Sequence, residues 1–272
     1  MKQRIMNLIL ILILVAGLSL LLYPTVSNWW NSMHQSRAIA SYSEAVADID
    51  PAIYEGQRSA AQAYNATIEN GITRFKLTDE NRAVYEQTLN LAGDGIMGII
   101  EIPVIGVELP MYHGTSEAVL QVAIGHIEGT SLPVGGEGTH CALSGHRGLP
   151  SARLFTDLDQ LTNGDIFLMH VLDETLTYEV DHVSIVLPHE LDDLDIVEGE
   201  DYCTLVTCTP YGINTHRLLV RGRRIPTAEV KKIVRVTADA VRIDPVIIAP
   251  LLASPILLLM LMFAVLYEPK KK

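Results

Sequence analysis

The stretch Thr204–Gly222, TLVTCTPYGINTHRLLVRG, constrains the fold of this chain more than any other. Its first part is an apolar and β-branched run that ends at Cys208, and its last part is a second apolar run that contains Arg217. The intervening Thr-Pro-Tyr-Gly is typical of a turn, so the stretch predicts two neighbouring β-strands joined by that turn. A thiol then lies at the end of one strand, and a guanidinium lies across from it on the next.

This pair of side chains suits acyl transfer, because a thiolate can attack a carbonyl carbon while a fixed guanidinium donates N–H groups to the oxyanion. A cysteine nucleophile needs a base, and the candidate is His146 in the glycine-flanked run SGHRG, which follows a predicted strand over 139–143. Arg221 lies four residues beyond Arg217 and shares its strand face. Spacing alone therefore leaves both arginines open for the oxyanion.

The two motifs together resemble those of the sortases, most closely the class C, pilus-assembling branch. The resemblance covers residues 93–226. It implies a cysteine transpeptidase in which Cys208 is the nucleophile, His146 the acid/base partner and Arg217 the cation that binds the oxyanion or substrate. It also implies that an LPxTG-like sorting signal is cut after its threonine, and that a pilin lysine amine resolves the thioacyl-enzyme.

The resemblance implies a closed β-barrel of about eight strands, and the succession of short β-rich runs from residue 96 onward independently favours a barrel. Three other functions stay open: a wall-anchoring sortase, a simple cysteine peptidase, and, more remotely, a non-enzymatic membrane-tethered adhesion module. No cofactor is predicted. A metal site at Cys203 and Cys208 is disfavoured, because their odd spacing sends the two sulfurs to opposite faces of one strand. Substrate-binding residues and the oligomeric state are not predicted.

Apolar segments near both ends predict a membrane protein. Residues 5–22 form a nearly unbroken apolar run that is long enough to span a bilayer. The bulky residues after it do not resemble a signal-peptidase site, which favours an uncleaved anchor over 1–23 rather than a removed signal peptide. A second apolar stretch, 245–267, is followed by a basic tail, 268–272. Basic residues at both outer ends predict cytoplasmic termini and an extracellular segment over 24–244.

The predicted extracellular segment is strongly acidic. Of the 20 Lys and Arg residues, five lie in the predicted cytoplasmic ends, and of the 32 Asp and Glu residues only one does, so the segment carries a net charge of −16. This charge argues against nucleic-acid binding and against docking on anionic lipid. It fits solubility alone, and equally a protein partner that presents a lysine.

The rest of the extracellular segment divides into a helical, lid-like region over 24–92, the catalytic barrel over 93–227 and a linker over 228–244. In class C sortases the first region carries an Asp-Pro-aromatic lid. This chain departs from that pattern, because Asp50-Pro51 is followed by alanine and is typical of a helix start, with the helix predicted to end at Gly71. Phe75 is the remaining candidate to cover the cleft.

Two further cysteines lie five residues before the proposed catalytic groups, Cys141 before His146 and Cys203 before Cys208. If the two strands run parallel and side by side, Cys141 and Cys203 are neighbours. Two buried thiols and a cross-strand disulfide both stay open at this point.

Overall fold

The computed structural model describes residues 2–227, together with 253, 255–257 and 259. Residues 32–227 belong to one compact unit, and residues 2–31 belong to another. The predicted linker, 228–244, and the basic tail, 268–272, lie outside the described residues, as does most of the predicted second membrane span, 245–267.

The chain begins with a long helix, α1, over Lys2–Ala47. Within the described residues, it contains the one helical segment, Ile5–Ala47, that is long and apolar enough to cross a membrane. The predicted anchor ends at residue 23, whereas α1 continues through Pro24 without a break. A proline inside a helix removes only one hydrogen bond, so the helix resumes on its far side.

After α1, two helices precede the barrel, α2 over Pro51–Asn65 and α3 over Asp79–Gln87. The first of them is shorter than the sequence predicts. The Asp50 carboxylate accepts a hydrogen bond from the Ala52 N–H at 2.7 Å, which confirms the predicted cap. The helix predicted to reach Gly71 ends six residues earlier, at Asn65. There the Asn65 side chain exchanges two hydrogen bonds with the Leu132 backbone, so a tertiary contact determines where the helix ends.

The barrel itself has eight strands and is closed, as predicted. Around the barrel they follow the order β1, β2, β3, β4, β7, β8, β6, β5. Neighbouring strands are antiparallel except for two parallel pairs, β2 with β3 and β4 with β7. The bounds are β1 Ile96–Ile102, β2 Val107–His113, β3 Ile124–His126, β4 Thr139–Ser144, β5 Ile166–Val171, β6 Glu174–Val186, β7 Asp201–Thr209 and β8 His216–Ile225.

Short helical elements join the strands. The helix α4 covers Glu117–Leu120, and a 3₁₀ turn covers Leu158–Gln160. Three more 3₁₀ turns occupy Ile72–Phe75, Pro103–Ile105 and Asp192–Leu194.

Along the parallel strands β4 and β7, alternate side chains point into the barrel and fill its core. Cys141, Leu143, Cys203 and Leu205 all belong to the buried core. Successive side chains of a strand point to opposite faces, so the even-numbered residues of β7, ending in Cys208, lie on the outer face. The proposed nucleophile is therefore on the outside of the barrel wall.

Close packing leaves no room for a side chain at Gly222, which lies on β8 opposite Cys203. A Cβ atom there would come within 2.6 Å of the Phe167 ring and 2.8 Å of the Tyr178 Cβ. Those two rings are stacked with centroids 5.5 Å apart and are fully buried. We expect Gly222→Ala to lower the free energy of unfolding by about 2–3 kcal/mol through overpacking, measured by urea denaturation of the purified chain in detergent.

The matched control is Gly56→Ala in the middle of α2, where an added Cβ meets nothing within 4 Å. Alanine is the better helix former, so this variant should gain about 0.5–1 kcal/mol. Equal stability of the two variants would contradict the packing that is described at Gly222.

Candidate active site

The antiparallel pairing of β7 with β8 brings Cys208 directly opposite Arg217. Directly opposed residues share a sheet face, with Cβ atoms about 4.5–5.5 Å apart. Both residues are partly exposed. The Arg217 guanidinium donates through Nη1 to the backbone carbonyls of Asn214 at 3.3 Å and His216 at 3.1 Å. Both bonds use Nη1, so the other N–H groups of the guanidinium can still bind a substrate.

The parallel pairing of β4 with β7 leads His146 to the same end of the barrel. The last paired residues are Ser144 and Val206. The contact continues beyond the strand, because Gly145 N–H donates to the Val206 carbonyl at 3.1 Å and Thr207 Oγ1 donates to the Gly145 carbonyl at 2.7 Å. His146 follows Gly145 directly, so it lies just beyond the end of β4, at the end of the sheet where β7 carries Cys208 and β8 carries Arg217.

The two arginines that spacing leaves open differ sharply in their surroundings. Arg221 makes two hydrogen bonds to the Asp181 carboxylate, at 3.0 and 2.9 Å, and its guanidinium lies 4.2 Å from the Tyr202 ring centroid. The bond to Asp181 raises the pKa of Arg221. Arg221 also lies opposite Thr204, about 13 Å along β7 from Cys208 at the usual rise per residue.

Arg217 has no such carboxylate partner within residues 2–227. Its position opposite Cys208 and its free donors both favour it over Arg221 as the group that faces a developing oxyanion.

A set of contacts that the sequence analysis missed joins the loop after His146 to the turn after Cys208. The Arg147 side chain is only 10% exposed, and it pairs with Asp159 at 2.6 Å and donates to Thr209 Oγ1 at 3.4 Å. Its guanidinium also lies 5.9 Å from the centroid of Tyr211.

Tyr211 packs against the same loop from the other side. A Cβ atom at Gly148, where φ is +78°, would come within 3.0 Å of the Tyr211 ring. The residues that make these contacts are visible in the sequence as the Arg-Gly that follows His146 and the tyrosine of the turn after Cys208. Only the fold shows that this loop and this turn are in contact.

The candidate lid residue Phe75 lies in the segment between α2 and α3. It ends the 3₁₀ turn Ile72–Phe75, and its ring is covered by the Arg74 guanidinium at 4.8 Å. Arg74 donates to the Leu194 carbonyl at 2.9 Å and pairs with Asp195 at 3.2 Å. Its backbone carbonyl also lies directly against Gly129, on the loop between β3 and β4.

We name residues 72–77 the strap, because these contacts join the loop before β4 to the loop before β7. The Asp195 carbonyl accepts a hydrogen bond from His140 Nδ1 at 2.8 Å, and His140 Nε2 is bonded to Thr204 Oγ1 at 2.7 Å. The anchor of the strap at Asp195 is therefore linked through His140 to Thr204. Thr204 lies about 13 Å from Cys208 along β7.

Within the part of the chain that the structure describes, His, Cys, Asp and Glu residues form no group of three or more that could hold a metal ion. The chemistry available at the β4, β7 and β8 ends is that of a thiol, an imidazole and a guanidinium.

Comparisons with known proteins identify the family of this chain. The Sortase domain model matches residues 100–225, a range that includes His146, Cys208 and Arg217. Sortase A of Bacillus anthracis is 26% identical over 228 residues, which are 83% of this chain and 97% of that protein.

Two solved structures are similar at much higher identity. Sortase C1 from Streptococcus agalactiae is 51% identical with a TM-score of 0.67, and the match covers 70% of this chain and 98% of that one. Sortase C from Streptococcus pneumoniae is 46% identical with a TM-score of 0.62, and the match covers 70% of this chain and 97% of that one. Its structure is described as informing catalysis and pilin substrate specificity.

These matches confirm the predicted resemblance, and they show that the remote alternative of a non-enzymatic adhesion module is wrong. The chain belongs to the sortase family of cysteine transpeptidases, and its relatives among solved structures include class C sortases.

Proposed function

We propose that this sortase cleaves an LPxTG-like sorting signal after its threonine and transfers the product to a lysine amine of a pilin subunit. The observation that carries the proposal is the pairing of Cys208 with Arg217 across β7 and β8, with His146 just beyond the end of the neighbouring strand β4. The similarity to class C sortases, one of them described for its pilin substrate specificity, supports the choice of substrate.

In the first step the Cys208 thiolate attacks the threonine carbonyl carbon, and the carbonyl oxygen becomes an oxyanion. Arg217 donates N–H groups to that oxyanion, which stabilises the tetrahedral intermediate. The intermediate collapses as the carbon–nitrogen bond breaks, and His146 donates its proton to the departing amine. A thioester between Cys208 and the threonine acyl group remains.

In the second step an incoming lysine amine attacks the thioester carbon. His146 now accepts the proton of that amine, Arg217 again faces the oxyanion, and the Cys208 thiolate leaves. The product is an isopeptide bond. Attack by water at this point would release an acid instead, so the transpeptidase and the peptidase differ only in which nucleophile reaches the thioester.

Membrane anchoring forms part of the proposal, and α1 supports it through its long apolar first half. In the proposed topology, residues 1–23 anchor the chain, the barrel lies outside the cell, and 245–267 return it to a cytoplasmic tail, 268–272. Confinement of enzyme and membrane-bound substrate to one surface raises their effective concentration without new contacts.

The test of the proposed function is incubation of the purified chain with a pilin subunit and its sorting signal, followed by denaturing gel electrophoresis and mass spectrometry. Covalent ladders joined through lysine support the proposal. A single adduct on a cell-wall amine would favour the wall-anchoring alternative, and release of free acid alone would favour the peptidase; either result would overturn the pilin assignment.

We further propose that the strap limits access to the outer face of β4 and β7, with Phe75 as its apolar part. Arg74 holds the strap to Leu194 and Asp195, and its side chain is only 5% exposed. Arg74→Ala should therefore free the strap and raise the rate of Cys208 alkylation by iodoacetamide several-fold. Cys141 and Cys203 are buried, so alkylation of the native chain reports on Cys208.

The control for this prediction is Arg82→Ala, which removes another ion pair from the same region, that with Glu128 at 2.8 Å. Arg82 lies on α3 rather than on the strap, so its loss should leave the alkylation rate unchanged. If Arg74→Ala and Arg82→Ala gave the wild-type rate alike, the strap would have no role in access.

A further inference from the structure

Cys141 and Cys203 are direct partners in the parallel register of β4 and β7. Their exposed fractions are 3% and 0%, and both belong to the barrel core. Partners on adjacent strands lie about 4.8 Å apart, inside the Cα separation of about 4.4–6.8 Å that disulfides require. Cys208 lies on the opposite face of β7, so it cannot compete for either sulfur.

The surroundings of the two thiols make them chemically unequal. Burial raises the pKa of a thiol, but hydrogen bonds with Cys203 and His126 together lower the pKa of Cys141. Burial and the neighbouring Cys141 raise the pKa of Cys203, whose thiol donates to Met169 Sδ at 3.6 Å. In the closed barrel Cys141 therefore has the lower pKa of the two, and we assign it as the attacking sulfur and Cys203 as the resolving thiol.

His126 is a fixed neighbour of this pair. It is fully buried, and its ring nitrogens are bonded to Tyr85 Oη at 3.0 Å and to the Ser131 carbonyl at 2.9 Å. An imidazole held in this way keeps a constant position beside the Cys141 sulfur.

We propose that Cys141 and Cys203, which are both thiols in this structure, form a redox pair that oxidises to a disulfide inside the barrel. The disulfide would join β4 to β7, the two strands that end at His146 and Cys208. It would fix their relative register five residues before the proposed catalytic groups.

The oxidant is a disulfide of a small molecule or another protein, and the reaction is thiol–disulfide exchange. The Cys141 thiolate attacks one sulfur of that disulfide and releases the other as a thiolate. The Cys203 thiolate then attacks the Cys141 sulfur of the mixed disulfide and releases the second thiolate. Two protein thiols lose two electrons and two protons, and one external disulfide becomes two thiols. Because both sulfurs are buried, exchange takes place before the barrel closes or when it opens locally.

The first test counts thiols in the full chain taken from native membranes. The membranes are quenched with acid, unfolded in dodecyl sulfate and labelled with a maleimide–polyethylene glycol that adds a resolvable mass to each thiol. We expect one tag before reduction and three after it. Cys208→Ala should give none and then two, and Cys203→Ser should give two in both samples. Three tags on the unreduced wild-type chain would overturn the proposal.

The second test measures thermal unfolding of the purified full chain in detergent, with and without a thiol reductant. The disulfide would close a loop between residues 62 apart in sequence. Reduction should then lower the Tm of Cys208→Ala by roughly 10 °C. The double variant Cys208→Ala/Cys141→Ser should show no shift, and an equal Tm with and without reductant in Cys208→Ala would overturn the proposal. Neither test depends on catalysis, so each result is independent of the proposed function.

Discussion

Replacing Cys208 by alanine is expected to lower kcat/KM for cleavage of an LPxTG peptide by about 10⁴-fold or more, the usual effect of removing a covalent nucleophile. The outer-face position of Cys208 on β7 should leave stability unchanged, because the side chain is only partly buried. Peptide cleavage is followed by chromatography. Mass spectrometry of the chain during turnover should find the threonine acyl fragment on Cys208 in the wild type and on no residue in the variant.

The matched control is Cys203→Ala, which removes a thiol from the same strand but from its inner face. In the presence of a thiol reductant, which keeps Cys141 and Cys203 as thiols in the wild type, this variant should keep kcat/KM within several-fold of the wild type, while losing about 1 kcal/mol of stability through the smaller core side chain. Residual cleavage by Cys208→Ala comparable with that of Cys203→Ala would exclude Cys208 as the nucleophile.

Local sequence patterns predicted the arrangement of the site well where adjacent residues determine it. Thr204–Gly222 forms two antiparallel strands around a turn, and a turn of this kind fixes the pairing of the residues that flank it. The position of Arg217 opposite Cys208 follows from that pairing. The parallel pairing of β4 with β7 was stated only as the condition for Cys141 and Cys203 to be neighbours, and the register confirms that they are.

Features that depend on distant contacts were predicted less well. Helix α2 ends at Asn65 because that side chain bonds to Leu132, 67 residues later. The link from Arg147 to Asp159 and Tyr211 is likewise invisible in the local sequence, since each partner is typical of a solvated loop. The contacts of the strap with Gly129 and Asp195 join three separate loops, and the spacing of apolar and polar residues does not predict such contacts.

The choice between Arg217 and Arg221 leads to the second large effect. Arg217→Ala is expected to lower kcat/KM by about 10²–10³-fold, because it removes the donors that in the proposed mechanism face the oxyanion in both steps. The loss should appear mainly in kcat, since the oxyanion exists only near the transition state. Arg217→Lys should recover only part of the loss, because an ammonium group cannot reproduce the planar, multi-donor geometry of guanidinium. Steady-state kinetics on the sorting peptide measures each value.

For Arg221→Ala, on the same strand face, we expect a loss of stability rather than a loss of kcat. Its guanidinium is bound to Asp181 and stacked over Tyr202, so its removal leaves Asp181 without that partner and uncovers an aromatic ring. We expect a loss of about 1 kcal/mol in unfolding free energy for this partly exposed pair, with kcat within about threefold of the wild type. The contrary result would be a loss of kcat in Arg221→Ala and a wild-type kcat in Arg217→Ala. It would mean that the oxyanion lies four residues further along β8, away from Cys208, and the proposed geometry of the site would be wrong.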